Sequence, residues 1–214
     1  MKITILFDNC QGKQGLRTSW GFSALIEVGD IPPLLFDTGV DGSALLYNME
    51  QLDVEPKHIG AIVISHAHAD HTGGLSDILA INKNAEIYIP ASTRARLPGR
   101  KVIMVSQPIK ISEAVYSTGE LEGIEQSLAI KTSKGILVVT GCSHPGVGTI
   151  LDASSRYGKV YGIIGGFHGF RDFSRLDGLS LICPCHCTQH KSEISLLFPE
   201  QCIECGAGLE VELS

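Results

Sequence analysis

Ile59-Gly60-Ala61-Ile62-Val63-Ile64-Ser65-His66-Ala67-His68-Ala69-Asp70-His71-Thr72-Gly73-Gly74 is the stretch that decides the fold. An apolar run of strand length ends in three imidazoles and a carboxylate, all within the six residues from His66 to His71. Spacing of two puts His66 and His68 on one side of an extended chain, and a turn after Ala69 aims Asp70 and His71 at a neighbouring point. Short residues between these donors and the Gly-Gly pair behind them let the backbone crowd close to an ion, while the strand anchors one end. The alternative is a solvated polar loop. The donor spacing argues against it and predicts two metal ions side by side.

Outward from this stretch the same grammar of apolar runs and punctuation continues. Strands are expected at 3–7, 23–28, 34–36 and 59–64, and then at 86–89, 102–105, 114–117, 128–132, 136–140, 160–164 and 179–183. Helices are expected at 43–52, with Asp41 as its cap, and at 75–81, 147–156 and 191–198. Many strands with unevenly interspersed helices predict an α/β protein of two packed sheets with helices outside. With 214 residues and no repeat or linker, residues 1–214 are expected to form one domain.

The formal charge of -6 provides no general basic field, so nucleic acid and anionic membrane surfaces are not expected partners. The opening apolar run, Ile3 to Phe7, is too short for a signal-peptide core, and no stretch reaches the length of a membrane span. The expected compartment is the cytoplasm. Seven cysteines, five of them crowded into Cys183, Cys185, Cys187, Cys202 and Cys205, then read as free thiols or metal ligands before disulfides. A structural zinc held by four of these thiolates is one reading, although only Cys202-x-x-Cys205 has a common zinc spacing.

The His-x-His-x-Asp-His run resembles the metallo-β-lactamase superfamily, which implies an αβ/βα four-layer sandwich of two mixed β-sheets with helices outside and a metal site at one edge. Further matches are Leu35-Phe36-Asp37-Thr38-Gly39, Thr140-Gly141-Cys142-Ser143-His144-Pro145-Gly146, Gly165-Gly166-Phe167-His168 and Pro184-Cys185-His186-Cys187-Thr188. Together they are most similar to the dihydropteroate-synthase-like, methanopterin-type branch. The resemblance implies that His66, His68 and His144 bind one metal and that Asp70, His71 and His186 bind the other. His144 and His186 each follow an apolar run, which suits accurate placement at strand ends.

Asp37 is expected to hold a ligand imidazole by its far N–H. Where many superfamily members carry a bridging Asp after Gly, this chain has Gly141-Cys142. Cys142 thiolate, His168 or water alone could join the ions, and Cys142 could equally be a small buried hydrophobe. Asp70 and His168 are the candidate catalytic side chains, with His168 as a proton donor or substrate contact. Asn9, Arg17, Trp20 and Arg171 are the candidate substrate contacts, with Arg175 as a second phosphate clamp.

Two divalent ions, zinc first and iron or manganese next, would form a strongly positive centre suited to anionic or carbonyl oxygens. The leading expectation is a dinuclear metal-dependent hydrolase that uses a metal-activated water on a small anionic, phosphorylated substrate. The alternative is a transferase joining a reduced pterin to an aminobenzene ribofuranosyl phosphate. A non-catalytic metal-binding or redox-sensing module is the third reading, weakened because six donors exceed what one closed zinc site needs.

Overall fold

The computed structural model describes residues 1–29, 31–93 and 97–213. Its first half contains β1 (Lys2–Phe7), β2 (Ser23–Glu27), β3 (Leu34–Phe36), α1 (Gly42–Gln51), β4 (Ala61–Val63), α2 (Ala69–Thr72), α3 (Leu75–Ile81), β5 (Glu86–Pro90) and β6 (Val102–Val105). The second half contains β7 (Ile109–Lys110), β8 (Val115–Ser117), β9 (Leu128–Thr132), β10 (Gly135–Thr140), α4 (Val147–Ser155), β11 (Val160–Gly166), β12 (Leu181–Cys185), α5 (Lys191–Leu197) and β13 (Glu210–Glu212).

A seven-stranded sheet in the order β13-β1-β2-β3-β4-β5-β6 packs on a six-stranded sheet in the order β12-β11-β10-β9-β8-β7. Both sheets are mixed: β3 to β6 run parallel, as do β10 to β12, while the remaining pairs are antiparallel. The expected αβ/βα sandwich is the observed architecture.

The layers follow from period-two alternation in strands that are apolar on both faces. Leu34 and Phe36 of β3 face the space between the sheets, with Val63 of β4 and with Leu137 and Val139 of β10. Leu35 and Ile62 point the other way, onto Leu45 and Met49 of α1 and Ile78 of α3. On the second sheet Ile136 and Val138 turn outward onto Ile150 of α4 and Ile194 of α5. Each fully buried side chain of this size contributes about 1.5–3 kcal/mol. Asp41 caps α1 as expected, its carboxylate accepting the N–H groups of Ser43 and Ala44 at 2.9 and 3.1 Å. Among the described residues no helix is long and apolar enough to cross a membrane.

Three elements depart from the sequence reading. The turn after Ala69 closes into the four-residue helix α2, whereas β7 and β13 are edge strands of two and three residues, too short for an alternation signal. β13 exists because it pairs with β1. At the C-terminal ends of β10 and β11 the backbones approach so closely that a Cβ on Gly165, where φ is +136°, would lie 2.0 Å from the Thr140 carbonyl oxygen. Only glycine fits there, and the fit brings the loops after both strands to one edge of the sandwich.

Candidate metal centre

The loops that leave the C-terminal ends of β3, β4, β10, β11 and β12 carry Asp37, Ser65 to His71, Cys142 to His144, His168 and His186 respectively. Strand ends of this kind are where open parallel sheets place their ligands. The chain turns sharply at them: Asp37, Ser143, His168 and His186 all adopt positive φ, between 44° and 59°. Non-glycine residues rarely do so, and the conformation aims side chains that a continuing strand would misdirect.

Beyond β4, the Ser65 N–H and hydroxyl donate to the two oxygens of Asp37, both at 2.7 Å, which pins the start of the motif loop. His66 and His68 then converge, with His66 Nε2 3.0 Å from His68 Nδ1 and 3.2 Å from His144 Nε2. His66 Nδ1 already faces the Ser65 hydroxyl at 2.9 Å. One ring nitrogen cannot satisfy two other nitrogens with a single N–H or a single lone pair. A cation resolves the conflict, because zinc–nitrogen bonds in a tetrahedral site separate the nitrogens by roughly 3.3 Å. Burial, followed by the neighbouring imidazoles, pushes the His66 pKa far below its usual range. Burial also lowers that of His144. Both rings are therefore held in the neutral form that a metal requires.

A second group lies alongside. Asp70 Oδ2 is 3.0 Å from His186 Nε2 and 3.7 Å from His71 Nε2, and His71 Nε2 is 3.2 Å from Cys142 Sγ. The far nitrogens are fixed from behind. Asp37 takes His71 Nδ1 at 2.6 Å, and Asn9 Oδ1 takes His186 Nδ1 at 2.9 Å. Burial disfavours the charged form of His71, but Asp37, with Asp70 and Glu125, outweighs it and raises the pKa. Burial brings His186 down to about 4. Burial would raise Asp70, but His71 foremost, with its own backbone and His186, holds its carboxyl below the usual range.

Two potential donor sets emerge, His66, Cys142 and His144 on one side and Asp70, His71, Cys142 and His186 on the other, the donor atoms of each lying within 4.8 Å of one another. Cys142 Sγ is common to both. It follows Gly141, at the position where many superfamily members carry an Asp, whereas His168 is in neither set. In the absence of a cation, hydrogen bonding to Cys187 and burial keep the Cys142 thiol protonated, its pKa well above the ordinary value. A bound cation inverts that preference.

Glu125 is the functional residue that sequence reasoning missed. Its buried carboxylate accepts four consecutive backbone N–H groups, those of Gly141, Cys142 and Ser143 on Oε1 at 3.0–3.1 Å and that of His144 on Oε2 at 2.9 Å. It thereby shapes the loop that delivers both Cys142 and His144. No periodicity marks such a residue, since its partners are main-chain groups 16 to 19 positions away.

The remaining expected contacts divide. Trp20 sits at the rim, 57% exposed, donating its indole N–H to Asp70 at 2.9 Å and standing 4.8 Å, ring to ring, from His186. His168 is exposed and stands 5.2 Å from the His144 ring. Asn9, expected to meet substrate, spends its carboxamide on His186, donating to that residue's carbonyl at 3.1 Å as well. Arg17 lies over the Tyr47 ring at 4.0 Å, and Arg175 is engaged by Asp152 and the Gly148 carbonyl, so neither guanidinium joins the centre. Arg171 is exposed on the loop after His168. The C-terminal cysteines also part company: Cys183, Cys185 and Cys205 converge, whereas Cys187 packs against the Cys142 carbonyl at 3.9 Å.

Comparison with known proteins agrees with this geometry. A family model of the metallo-β-lactamase superfamily matches residues 21–150. The chain is 31% identical to the 7,8-dihydropterin-6-methyl-4-(β-D-ribofuranosyl)-aminobenzene-5'-phosphate synthase of Methanocaldococcus jannaschii, over 81% of this chain and 82% of that protein. Among solved structures, Tm1679, a metal-dependent hydrolase of the β-lactamase superfamily, superimposes with a TM-score of 0.81 at 24% identity, covering 100% of this chain and 99% of that one. YhfI of Bacillus subtilis, a metallo-β-lactamase fold protein, gives 0.71 at 16% identity with 99% of each chain covered. At these identities the two structures speak for the fold.

Proposed function

Because this chain belongs to the metallo-β-lactamase superfamily, we propose that it is a dinuclear metal enzyme of the pterin-linked transferase kind, joining a reduced pterin to an aminobenzene ribofuranosyl phosphate. The observation that carries this reading is the 31% identity to a synthase of that product over four-fifths of both chains. His66, His68 and His144 would hold one divalent ion and Asp70, His71 and His186 the other, with the Cys142 thiol available to either. Zinc is the first candidate for a set rich in imidazoles, ahead of iron and manganese. Bound there, the two ions would supply Lewis acidity toward the oxygens of a phosphate or pyrophosphate group.

The chain's own side chains supply the rest. Trp20 presents a flat, exposed indole at the mouth, suited to stacking on a planar bicyclic ring, while its N–H stays on Asp70. His168, exposed beside His144, is placed to carry a proton at a ring nitrogen to or from the substrate. Arg171 is left as the cation that would meet a substrate phosphate at the rim. All seven cysteines are free, which is compatible with the reducing cytoplasm expected from the sequence.

Incubating the metal-loaded protein with a reduced pterin pyrophosphate and the aminobenzene ribofuranosyl phosphate, in isotopically labelled water, tests the reading. A coupled product with the mass of the two substrates less pyrophosphate, together with unlabelled pyrophosphate, supports it. Label appearing only in released alcohol or phosphate would instead establish hydrolysis, the reaction expected first from the sequence.

A further inference from the structure

We propose that Cys183, Cys185 and Cys205 form a second metal site, separate from the imidazole centre, that takes one thiophilic ion of the zinc(II) or copper(I) class. Cys183 and Cys185 alternate along β12, so both thiols face the space between the sheets. Cys205 reaches them because the segment before it is stitched to β12, with Ile182 N–H donating to the Gln201 carbonyl and Ile203 N–H to the Ile182 carbonyl, both at 2.9 Å. The three sulfurs lie within 4.8 Å of one another, and those of Cys183 and Cys185 are 3.7 Å apart. Metal–sulfur bonds of roughly 2.3 Å in a tetrahedral site set sulfur–sulfur distances near 3.8 Å, so the thiols stand about where coordination would hold them.

A single buried cysteine is an ordinary small hydrophobe. Three converging from two separated segments, beside a buried carboxylate, are not explained that way. Asp8, fully buried, accepts the Cys205 thiol at 3.5 Å. The donor set has no imidazole, which selects a softer ion than the neighbouring centre. A cavity of about 490 Å³, lined by Cys10, Lys191, Cys202 and Cys205 among others, gives an ion a way in from solvent. Each thiol would release its proton to water as its sulfur bonds to the metal. Asp8 also accepts the His186 N–H at 2.8 Å, so an ion at the thiols is tied through one carboxylate to the backbone of a residue in the imidazole centre.

The test uses the full chain, purified without oxygen, stripped with chelator and reloaded in separate arms with Zn(II), Cu(I) or Cd(II). The expected result is one more ion per chain in the wild type than in Cys205→Ala or Cys183→Ala, in at least the Zn(II) or the Cu(I) arm. Thiolate-to-cadmium absorption should persist in Cys142→Ala, which removes the sulfur of the other centre, and drop by more than half in Cys205→Ala. Equal metal content in all variants, or absorption lost entirely with Cys142→Ala, would overturn the proposal. X-ray absorption on the wild type, its imidazole centre first filled with zinc and one equivalent of Cu(I) then added, needs no variant: a copper shell of sulfur alone supports the site, and a copper shell containing nitrogen refutes it.

Discussion

Glu125→Gln is the most informative single substitution, because it keeps the shape of a buried side chain and removes only its charge and half of its acceptors. The carboxylate serves four main-chain N–H groups and the Thr140 hydroxyl. A carboxamide oxygen could keep the four donors now on Oε1, three N–H groups and the Thr140 hydroxyl, at reduced strength, but its NH₂ group would then face the His144 N–H. Hydrogen bonds to a charged group are worth about 1.5–3 kcal/mol each, and a buried donor left unpaired costs about 1–3 kcal/mol. With the usual non-additivity, a loss of about 4 kcal/mol is expected. The residues set adrift are Cys142 and His144, so metal affinity should also fall, by about 10–100-fold, as when a supporting partner of a ligand is lost. Urea unfolding of the metal-stripped protein measures the first effect and competition with a chromophoric chelator the second. A variant within about 0.5 kcal/mol of the wild type, with unchanged affinity, would show that the carboxylate does not organise this loop.

Other perturbations follow the same logic. Asp37→Ala frees His71 Nδ1 and both Ser65 donors, so metal affinity should drop about 10–100-fold in chelator competition, with a clear loss in thermal stability. Gly165→Ala would drive a methyl group into the Thr140 carbonyl and should cost about 3 kcal/mol or more in chemical denaturation. For the metal-stripped protein the pH dependence has a definite sign. His66, His144 and His186 have lowered folded pKa values, so the unfolded chain takes up protons first as pH falls below about 6.5. Stability should decline from there toward pH 4, by about 3 kcal/mol for His186 alone. His71, with a raised pKa, opposes this by contributing stability at low pH that is lost as pH rises. Urea midpoints at pH 7.5 and 5 check the balance; a higher midpoint at pH 5 would contradict it.

What could be read in the sequence was whatever physics writes locally. The apolar run before Ser65, the donor spacing from His66 to His71 and the Asp41 cap each declare themselves within a few residues; the strand and the cap are found in place, and His66, Asp70 and His71 fall in the clusters of potential donors. The elements that escaped depend on distant partners. β13 is a strand only against β1, Glu125 organises the loop after β10, and the role of Asn9 behind His186 depends on a partner 177 positions away. Arg17 looked like a substrate contact because a lone cation in a loop resembles one, whereas Tyr47 captures it. The cysteines carried no signal for their partition either: alternation separates His186 from Cys185, but which thiols meet is set by how the chain from 198 to 205 returns to β12.

The central claim is that two cations share the edge of the sandwich with one thiol available to either. Anomalous diffraction from crystals of the metal-loaded protein tests it most directly. The account predicts two peaks there, one among His66 Nε2, His68 Nδ1 and His144 Nε2 and one among Asp70, His71 and His186, at least one of them in contact with Cys142 Sγ. A single peak, or a pair that leaves Cys142 uncoordinated, would contradict it.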